Sequence, residues 1–259
     1  MNETMKKVFR TAQSELPCLK NVKDSVYFHM RRLLGIVHET DFRALTSIPG
    51  WPAEGLCIDV GANQGQSIES ILQVRPEARI ISFEASPNLA QALTIRYNRN
   101  PNISIVAKGL SDRAGTLTLF VPSYKGFVYD GLASFDRAAA ASWINGQRVF
   151  GFDPSKLNIA AVTCEVSTLD TQQVAPIFIK VDVQGYEYQV LSGGLDTMRM
   201  YEPVLMVESF RNDPRTVQLV DTLGYEEYYF DGAFLRKGSP TRSPNSFLMT
   251  PARARCVLH

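Results

Sequence analysis

Four carboxylates stand where short apolar runs end: Asp59 after Leu56-Cys57-Ile58, Glu84 after Ile80–Phe83, Asp182 after Ile177–Val181, and Glu208 after Pro203–Val207. Runs of this kind read as buried strands of a parallel sheet. Open α/β sheets bind ligands beyond the carboxyl ends of their strands. Carboxylates converging on one edge are costly unless they meet cationic or hydroxyl-rich partners. The chemistry such an edge supports is recognition of a cationic, hydroxyl-bearing ligand, with a carboxylate left over to act as a base.

The run Cys57-Ile58-Asp59-Val60-Gly61-Ala62-Asn63-Gln64-Gly65-Gln66 specifies the ligand further. Gly61 and Gly65 permit a tight turn that brings backbone N–H groups and a helix N-terminus up to a ligand. A dinucleotide fingerprint is G-x-G-x-x-G, spaced for a pyrophosphate. Here the spacing is D-x-G-x-x-x-G, and Asp59 would repel a pyrophosphate. S-adenosylmethionine has a sulfonium, an ammonium and a ribose diol but no phosphate, and suits this loop better than NAD does. Glu84, about twenty residues on, is placed to accept hydrogen bonds from ribose hydroxyls. The bland alternative is a glycine-rich turn with no ligand.

The elements that must hold these residues follow from pattern. The chain has 259 residues, 45% of them hydrophobic, enough for one core plus an appendage. Strands are expected at Leu56–Val60, Arg79–Glu84, Ile103–Lys108, Val162–Leu169, Ile177–Asp182 and Pro203–Glu208, with an added strand across Leu117–Val121. Helices are expected across Ser67–Val74, from Pro87 through Ile95, around Tyr188–Leu191 and across Thr216–Leu223, with short closing strands near Tyr228 and Phe247–Met249. Alternating βα units imply a mostly parallel sheet with helices on both faces.

Residues 1–50 read as an N-terminal helical extension packed on a main domain of residues 51–259. Residues 122–160 read as an insertion with a short helix at Ala138–Ile144. Its aromatics, Phe127, Tyr129, Phe135, Trp143, Phe150 and Phe152, suit either an acceptor surface or a small satellite core, and Ser134 and Asp136 are candidates for acceptor hydroxyls.

A net charge of +1 makes no global electrostatic case for nucleic acid. No apolar run approaches the roughly twenty residues that span a bilayer, although Met30-Arg31-Arg32-Leu33-Leu34 offers an apolar–basic surface for peripheral membrane contact. Cys18, Cys57, Cys164 and Cys256 have no metal-type spacing and read as reduced thiols of a cytoplasmic protein.

The motifs together resemble the FkbM-type methyltransferases of class I. The resemblance is carried by Ile58–Gly65, Phe83-Glu84-Ala85-Ser86-Pro87, Gly109-Leu110-Ser111-Asp112, Thr168-Leu169-Asp170 and Ile179–Glu187, and covers roughly residues 55 to 230. The K-x-D-x-Q-G-x-E segment, Lys180 to Glu187, is the most diagnostic part. The resemblance implies a Rossmann-like α/β fold with a seven-stranded sheet and a reversed final hairpin. Asp59, Gly61, Ala62, Asn63, Gly65 and Gln66 would surround the methionine part of the cofactor, Glu84 would hold the ribose, and Ala85, Ser111 and Asp112 would line the adenine. It further implies O-methylation of a hydroxyl on a sugar, glycolipid or natural-product acceptor. An N-methyltransferase and a non-catalytic binding module are the competing readings.

Asp182 is the candidate base, because partial burial raises a carboxylate's proton affinity. It is also counted with the cofactor set. Lys180 lies two residues earlier on the same strand face, to hold Asp182 ionised or simply to pair with it. Glu208, ending the neighbouring strand, completes the catalytic candidates, and Asp182 with Glu208 is a candidate ligand pair for Mg2+. Glu187 reads as a carboxylate satisfying N–H groups at a helix start, or as a contact to the acceptor or to a metal. His29, His38 and His259 lie outside the expected sheet.

Overall fold

The computed structural model describes residues 3–15, 34–48, 51–52, 55–241 and 243–257. The chain divides into two compact units, one of residues 34–116 and 164–259, the other of residues 1–33 and 117–163. His29, His259 and the segment Met30–Leu33 lie outside the described residues.

Helix α1 (Glu3–Glu15) opens the chain, and a 3-10 turn follows at Thr40–Ser47. Then come β1 (Leu56–Val60), α2 (Gln66–Val74), β2 (Arg79–Phe83), α3 (Pro87–Tyr97) and β3 (Ile103–Val106). Pro87 starts α3, where its missing N–H costs nothing. β3 ends two residues before Lys108, and a separate strand β4 (Gly109–Leu110) takes over. The inserted region holds β5 (Gly115–Tyr124), β6 (Phe127–Val128), α4 (Arg137–Ser142) and β7 (Leu157–Ser167). The chain continues with β8 (Phe178–Val181), α5 (Glu187–Ser192), α6 (Leu195–Tyr201), β9 (Val204–Glu208) and α7 (Pro214–Thr222). It ends with β10 (Glu226–Phe230), β11 (Leu235–Lys237), β12 (Asn245–Met249) and α8 (Pro251–Val257).

The larger unit is built on an eight-stranded sheet in the order β11-β10-β12-β9-β8-β1-β2-β3. β1, β2, β3, β8 and β9 pair in parallel, whereas β12 runs antiparallel to β9 and β10. This is the class I methyltransferase arrangement with one strand more than the expected seven. The extra edge strand, β11, arises because Asp231 Oδ1 accepts from the N–H groups of Ala233 and Phe234, each at 2.8 Å, and folds the chain back on β10. The sheet's topological switch lies between β1 and β8, which are neighbours although every element from α2 to β7 separates them in sequence.

Alternation along the central strands splits the core in two. Cys57, Ile80, Phe178, Val204, Met206 and Phe247 join one cluster with Phe42, Leu45, Ile68, Ile71 and Leu93. Ile58, Val60, Ile179, Val181, Leu205 and Val207 join the other with Val190, Leu191, Met198 and Val220. A strand of period two between two layers of helix requires this division. The Thr40–Ser47 turn is tied down on the first face by Arg75, whose guanidinium donates to the Leu45 carbonyl at 2.6 Å and the Ile48 carbonyl at 3.1 Å. His38 donates its backbone N–H to Ser70 Oγ at 2.8 Å, and its ring is exposed.

The smaller unit has its own small core. Tyr124, Ile144 and Val149 are buried, with Tyr129, Leu132, Trp143, Phe152 and Leu157 packed around them. Of the insertion's aromatics, Tyr129, Trp143 and Phe152 pack in this satellite core, whereas Phe150 is exposed. Phe150 N–H donates to Thr11 Oγ1 at 3.0 Å, and Lys7 Nζ to the Gly146 carbonyl at 2.7 Å, which join α1 to the insertion. Ser134 and Asp136 are spent locally: Ser134 Oγ accepts from Asp136 N–H at 3.1 Å, and Asp136 Oδ1 caps α4 through Ala138 N–H at 2.8 Å. The expected N-terminal extension is thus divided, with α1 in the smaller unit and residues 34–48 in the larger.

Candidate active site

A polar row crosses the first face of the large sheet near its carboxyl edge. Asp59 stands in register with Ser82 on β2 and with Lys180 on β8. Ser82 Oγ donates to Asp59 Oδ2 at 2.6 Å, and Lys180 Nζ lies 3.7 Å from Asp59 Oδ1. Asp59 is fully buried, so it supports the loop from beneath. Its Oδ1 has no hydrogen-bond partner, and neither does the buried Oδ1 of Asn63 in the loop above.

The loop itself is shaped by close approach. Gly61 has φ 84°, and a Cβ there would overlap the carbonyl oxygen of Asp182. Gly65 has φ 92°, and a Cβ would press on the Tyr97 hydroxyl at 2.8 Å. Only glycine tolerates both demands. The loop is pinned to β2 by Gly61 N–H and Ala62 N–H, which donate to the Phe83 carbonyl at 3.0 and 3.2 Å. Gln66 follows as the first residue of α2, and its Oε1 accepts from Gln64 N–H at 3.2 Å.

Glu84 lies just past β2 and is nearly buried. Its Oε2 accepts from Asn63 N–H at 2.7 Å and its Oε1 from Ser86 N–H at 2.8 Å. Each oxygen keeps a lone pair for a further donor. Burial pushes its pKa up to about 7, against the pull of those two N–H groups. Ala85, half-buried, follows it. Ser111 is buried, and its Oγ donates to Asp112 Oδ1 at 3.0 Å and lies 3.2 Å from the Tyr186 hydroxyl. Gly193 packs so closely that a Cβ would overlap the Ser111 carbonyl.

These features fit S-adenosylmethionine. They offer a glycine loop with a close backbone approach, held from beneath by the buried Asp59–Lys180 pair, and a buried carboxylate with lone pairs for a diol.

Beyond β8 the chain makes a second built turn. Gln184 takes φ 53° and Gly185 φ 94°. Glu187 Oε1 accepts from the N–H groups of Val183 and Gly185, both at 3.2 Å, and so holds the turn from the start of α5. Of the two readings of Glu187, its contacts are those of the helix-start carboxylate. The turn carries the Gln184 amide over two carboxylates: Nε2 donates to Asp182 Oδ1 and to Glu208 Oε2, each at 2.9 Å.

Lys180 is buried at 5% exposure, and its Nζ donates to Asp182 Oδ2 at 3.3 Å and to the Gly61 carbonyl at 3.2 Å. Burial would lower its pKa, but the charges of Asp182 and Asp59 outweigh burial and raise it. Asp182 departs from the expectation that burial would raise its proton affinity. Burial acts in that direction, but the Lys180 charge and hydrogen bonds involving Glu208, Gln184 and Lys180 prevail and hold it low. The high proton affinity belongs instead to Glu208, raised by burial, then by its hydrogen bond to Asp182 and the charges of Asp182 and Glu39. Of the coupled pair, Asp182 is thus the stronger acid and Glu208 the weaker.

Asp182 and Glu208 do come together, as a metal site would require. Their facing oxygens, however, are bridged by one amide, and the ammonium of Lys180 already serves Asp182. Among the described residues no group of three His, Cys, Asp or Glu is arranged to hold a metal ion. This donor set does not fit Mg2+.

Glu39, which carried no local signal in the sequence, also reaches this edge. Asn245, paired with Glu208 across β12 and β9, donates from Nδ2 to Glu39 Oε2 at 2.7 Å and to Asp41 Oδ2 at 3.0 Å. Burial raises the pKa of Glu39. Glu39, Asp41, Tyr229, Phe230 and Asp231 border a cavity of about 500 Å³ on this edge. The Thr168-Leu169-Asp170 motif is structural. Asp170 Oδ1 accepts from Thr197 N–H at 2.8 Å and Thr197 Oγ1 at 2.7 Å, which secures the start of α6.

A family model described as the methyltransferase FkbM domain matches residues 59–230. No curated protein matches the chain. Among solved structures, the FkbM methyltransferase of Methylobacillus flagellatus KT is similar, with 16% identity, a TM-score of 0.48, and coverage of 76% of this chain and 44% of that one. The chain therefore spans less than half of that protein's length. Aeropyrum pernix fibrillarin, solved with S-adenosyl-L-methionine, gives 11% identity and a TM-score of 0.41, covering 81% of this chain and 73% of the other. An S-adenosylmethionine-dependent O-methyltransferase of Thermotoga maritima gives 10% identity and a TM-score of 0.38, covering 83% and 66%. The family is carried by the matched residues, which include the loop from Asp59 and the whole Lys180–Glu187 turn. The chain belongs to the FkbM family of S-adenosylmethionine-dependent methyltransferases.

Proposed function

We propose that the protein is an O-methyltransferase acting on a hydroxyl of a sugar, glycolipid or natural-product acceptor. The observation that carries this reading is the Asp182–Gln184–Glu208 arrangement at the end of β8, directly against the loop glycine Gly61. S-adenosylmethionine supplies the methyl group and leaves as S-adenosylhomocysteine.

The chain's own residues then have three tasks. Glu84 and the loop from Gly61 to Gly65 hold and orient the cofactor. Lys180 keeps Asp182 ionised. Asp182 takes the acceptor's hydroxyl proton as the new C–O bond closes. An alcohol is a weak nucleophile, but the oxonium formed as that bond closes is a far stronger acid than a carboxylic acid. A carboxylate held low by Lys180 is still able to take its proton. Glu208, protonated, steadies the pair through the Gln184 amide. No step needs a metal. The described cysteines Cys57, Cys164 and Cys256 are free thiols, which supports a cytoplasmic setting. Among the described residues no helix is long and apolar enough to cross a membrane.

The test is calorimetric titration with S-adenosylhomocysteine, followed by transfer of labelled methyl groups to a panel of glycosides and hydroxylated aglycones. Wild type should bind, and Asp182→Asn should bind equally while losing transfer to a hydroxyl. Full transfer by Asp182→Asn, or transfer only to amines, would remove the O-methyltransferase reading.

A further inference from the structure

The cavity of about 500 Å³ beside Glu39 and Asp41 is lined by none of the residues assigned to the cofactor. Small-molecule sites span roughly 300–1,000 Å³, so it is large enough to hold a ligand. It adjoins the proposed reaction centre. The charge of Glu39 is felt at Lys180 and Glu208, and Asn245, which binds Glu39, stands opposite Glu208 in the sheet.

Two carboxylates meet here without a cation. Glu39 Oε2 and Asp41 Oδ2 both accept from the single Nδ2 of Asn245, and Ser243 Oγ also donates to Asp41 Oδ2. All these donors are neutral. Asp231, the third acid of the lining, is satisfied by the Arg236 guanidinium at 2.8 Å and by two N–H groups. None of the described lining residues is Lys, Arg or His. Asp41 is 5% exposed, a depth at which a carboxylate is normally paired with a cation.

Each of the two carboxylates keeps one oxygen in reserve. Asp41 Oδ1 and Glu39 Oε1 accept no hydrogen bond among the described residues, and neither is sealed from solvent. Tyr229 and Phe230 add aromatic walls to the same cavity. Free carboxylate oxygens beside aromatic rings suit an organic cation, which gains ion pairing from the acids and attraction from the ring faces. A metal ion is poorly served, because the described residues offer no group of three ligands. An anion would meet like charge.

We propose that this cavity seats the ammonium group of an amine-bearing acceptor, with Glu39 and Asp41 as its counter-ions. Resting on the methyl transfer proposed above, this assignment adds the acceptor's charge and the place where it is read. The ammonium is an anchor and not the methylated group. An amine held between carboxylates stays protonated and has no lone pair with which to attack a sulfonium. The hydroxyl of the same acceptor is left for Asp182.

The test uses the full chain saturated with S-adenosylhomocysteine and three probes: glucosamine under conditions that keep its amine protonated, N-acetylglucosamine and glucuronate. Binding is read by titration calorimetry and saturation-transfer NMR. Glucosamine should bind at least about tenfold more tightly than N-acetylglucosamine, which lacks only the charge. Asp41→Asn should remove that preference and leave the affinity for N-acetylglucosamine and S-adenosylhomocysteine unchanged. Glu39→Gln, which keeps an oxygen for Asn245, should act in the same direction if the first variant does not fold. Equal affinity for glucosamine and its acetamide, tightest binding of glucuronate, or no binding of glucosamine would overturn the proposal. So would folded Asp41→Asn and Glu39→Gln variants that bind glucosamine within twofold of wild type. Arg242 lies between the lining residues Thr241 and Ser243 in the chain. Glucosamine binding that appears only in Arg242→Ala would show that the chain supplies its own cation, and would overturn the proposal as well. Failure of wild type to bind S-adenosylhomocysteine would count against the cofactor reading, and probe titration without it would still judge the cavity.

Discussion

The ammonium of Lys180 lies 3.3 Å from the carboxylate of Asp182, two residues further along the chain. The same nitrogen is 3.7 Å from Asp59 and 3.2 Å from the Gly61 carbonyl, so one buried cation joins the loop's support, the loop itself and the proposed base. Replacing Lys180 with Met should leave Asp59 as an uncompensated buried charge. Loss of one partner of a buried pair costs about 3–5 kcal/mol. We expect a large drop in melting temperature for Lys180→Met, partly restored by the double variant with Asp59→Asn. A variant as stable as wild type would show that the ammonium is dispensable.

Glu84 links cofactor binding to pH. Its pKa is pushed up to about 7, and ribose hydroxyls donate to the ionised form. Affinity for S-adenosylhomocysteine should therefore fall as pH drops below about 7, and binding near pH 7 should release about half a proton. Calorimetry in buffers of different ionisation enthalpy measures that release. Glu84→Gln should abolish it and weaken binding at least tenfold. A pH-independent affinity in wild type would mean that Glu84 does not meet the ligand.

The same shifts shape stability. Glu84 and Glu208 have folded-state pKa values raised above the unfolded carboxylate value. Their contribution is fully present below the unfolded value, near 4.5, and is lost as pH rises through the folded values. Asp182 is depressed, so its contribution is present above the unfolded value and lost in stronger acid. Melting temperature should thus decline from mildly acidic to alkaline pH, and Glu208→Gln should flatten the alkaline part of that decline. A melting temperature that rises steadily from pH 5 to pH 9 would contradict these assignments.

Two glycines should behave differently although both have positive φ. Gly61→Ala meets the Asp182 carbonyl as well as the backbone penalty, whereas at Gly185 a Cβ meets nothing within 4 Å. Gly185→Ala should cost only the left-handed penalty, roughly 1–2 kcal/mol. Gly61→Ala should cost clearly more and abolish S-adenosylhomocysteine binding. Equal denaturation midpoints for the two would refute the packing argument.

Asp170 should matter to stability alone. Removing its cap on α6 by Asp170→Ala should cost about 0.5–2 kcal/mol. Cofactor affinity measured on the folded fraction should not change, and a selective loss of affinity would assign the motif a role at the ligand instead.

The residues that could be placed from sequence were those with a local physical reason. Leu56–Val60 forms the strand where expected, because an apolar run interrupted only by Asp59 is buried on both faces at the centre of a parallel sheet. Gly61 and Gly65 were legible because only glycine serves a turn with positive φ and close neighbours. Glu84, Asp182 and Glu208 were legible as carboxylates at or just past strand ends. What local pattern does not hold is who stands opposite whom. β11 depended on the bonding of Asp231, and α6 on its anchorage by Asp170 from far earlier in the chain. Glu39 reached the edge only through Asn245, more than two hundred residues away in sequence. The proton affinities of Asp182 and Glu208 were likewise decided in three dimensions. Burial alone raises any carboxylate, and only the positions of Lys180 and Gln184 determined which of the two would stay ionised. Sequence determined the strand ends and the chemistry gathered there, because strand period and glycine sterics act over a few residues. The tertiary structure decided the pairing of charges and the open cavity beside Asp41, because both depend on distances between segments that no local pattern encodes.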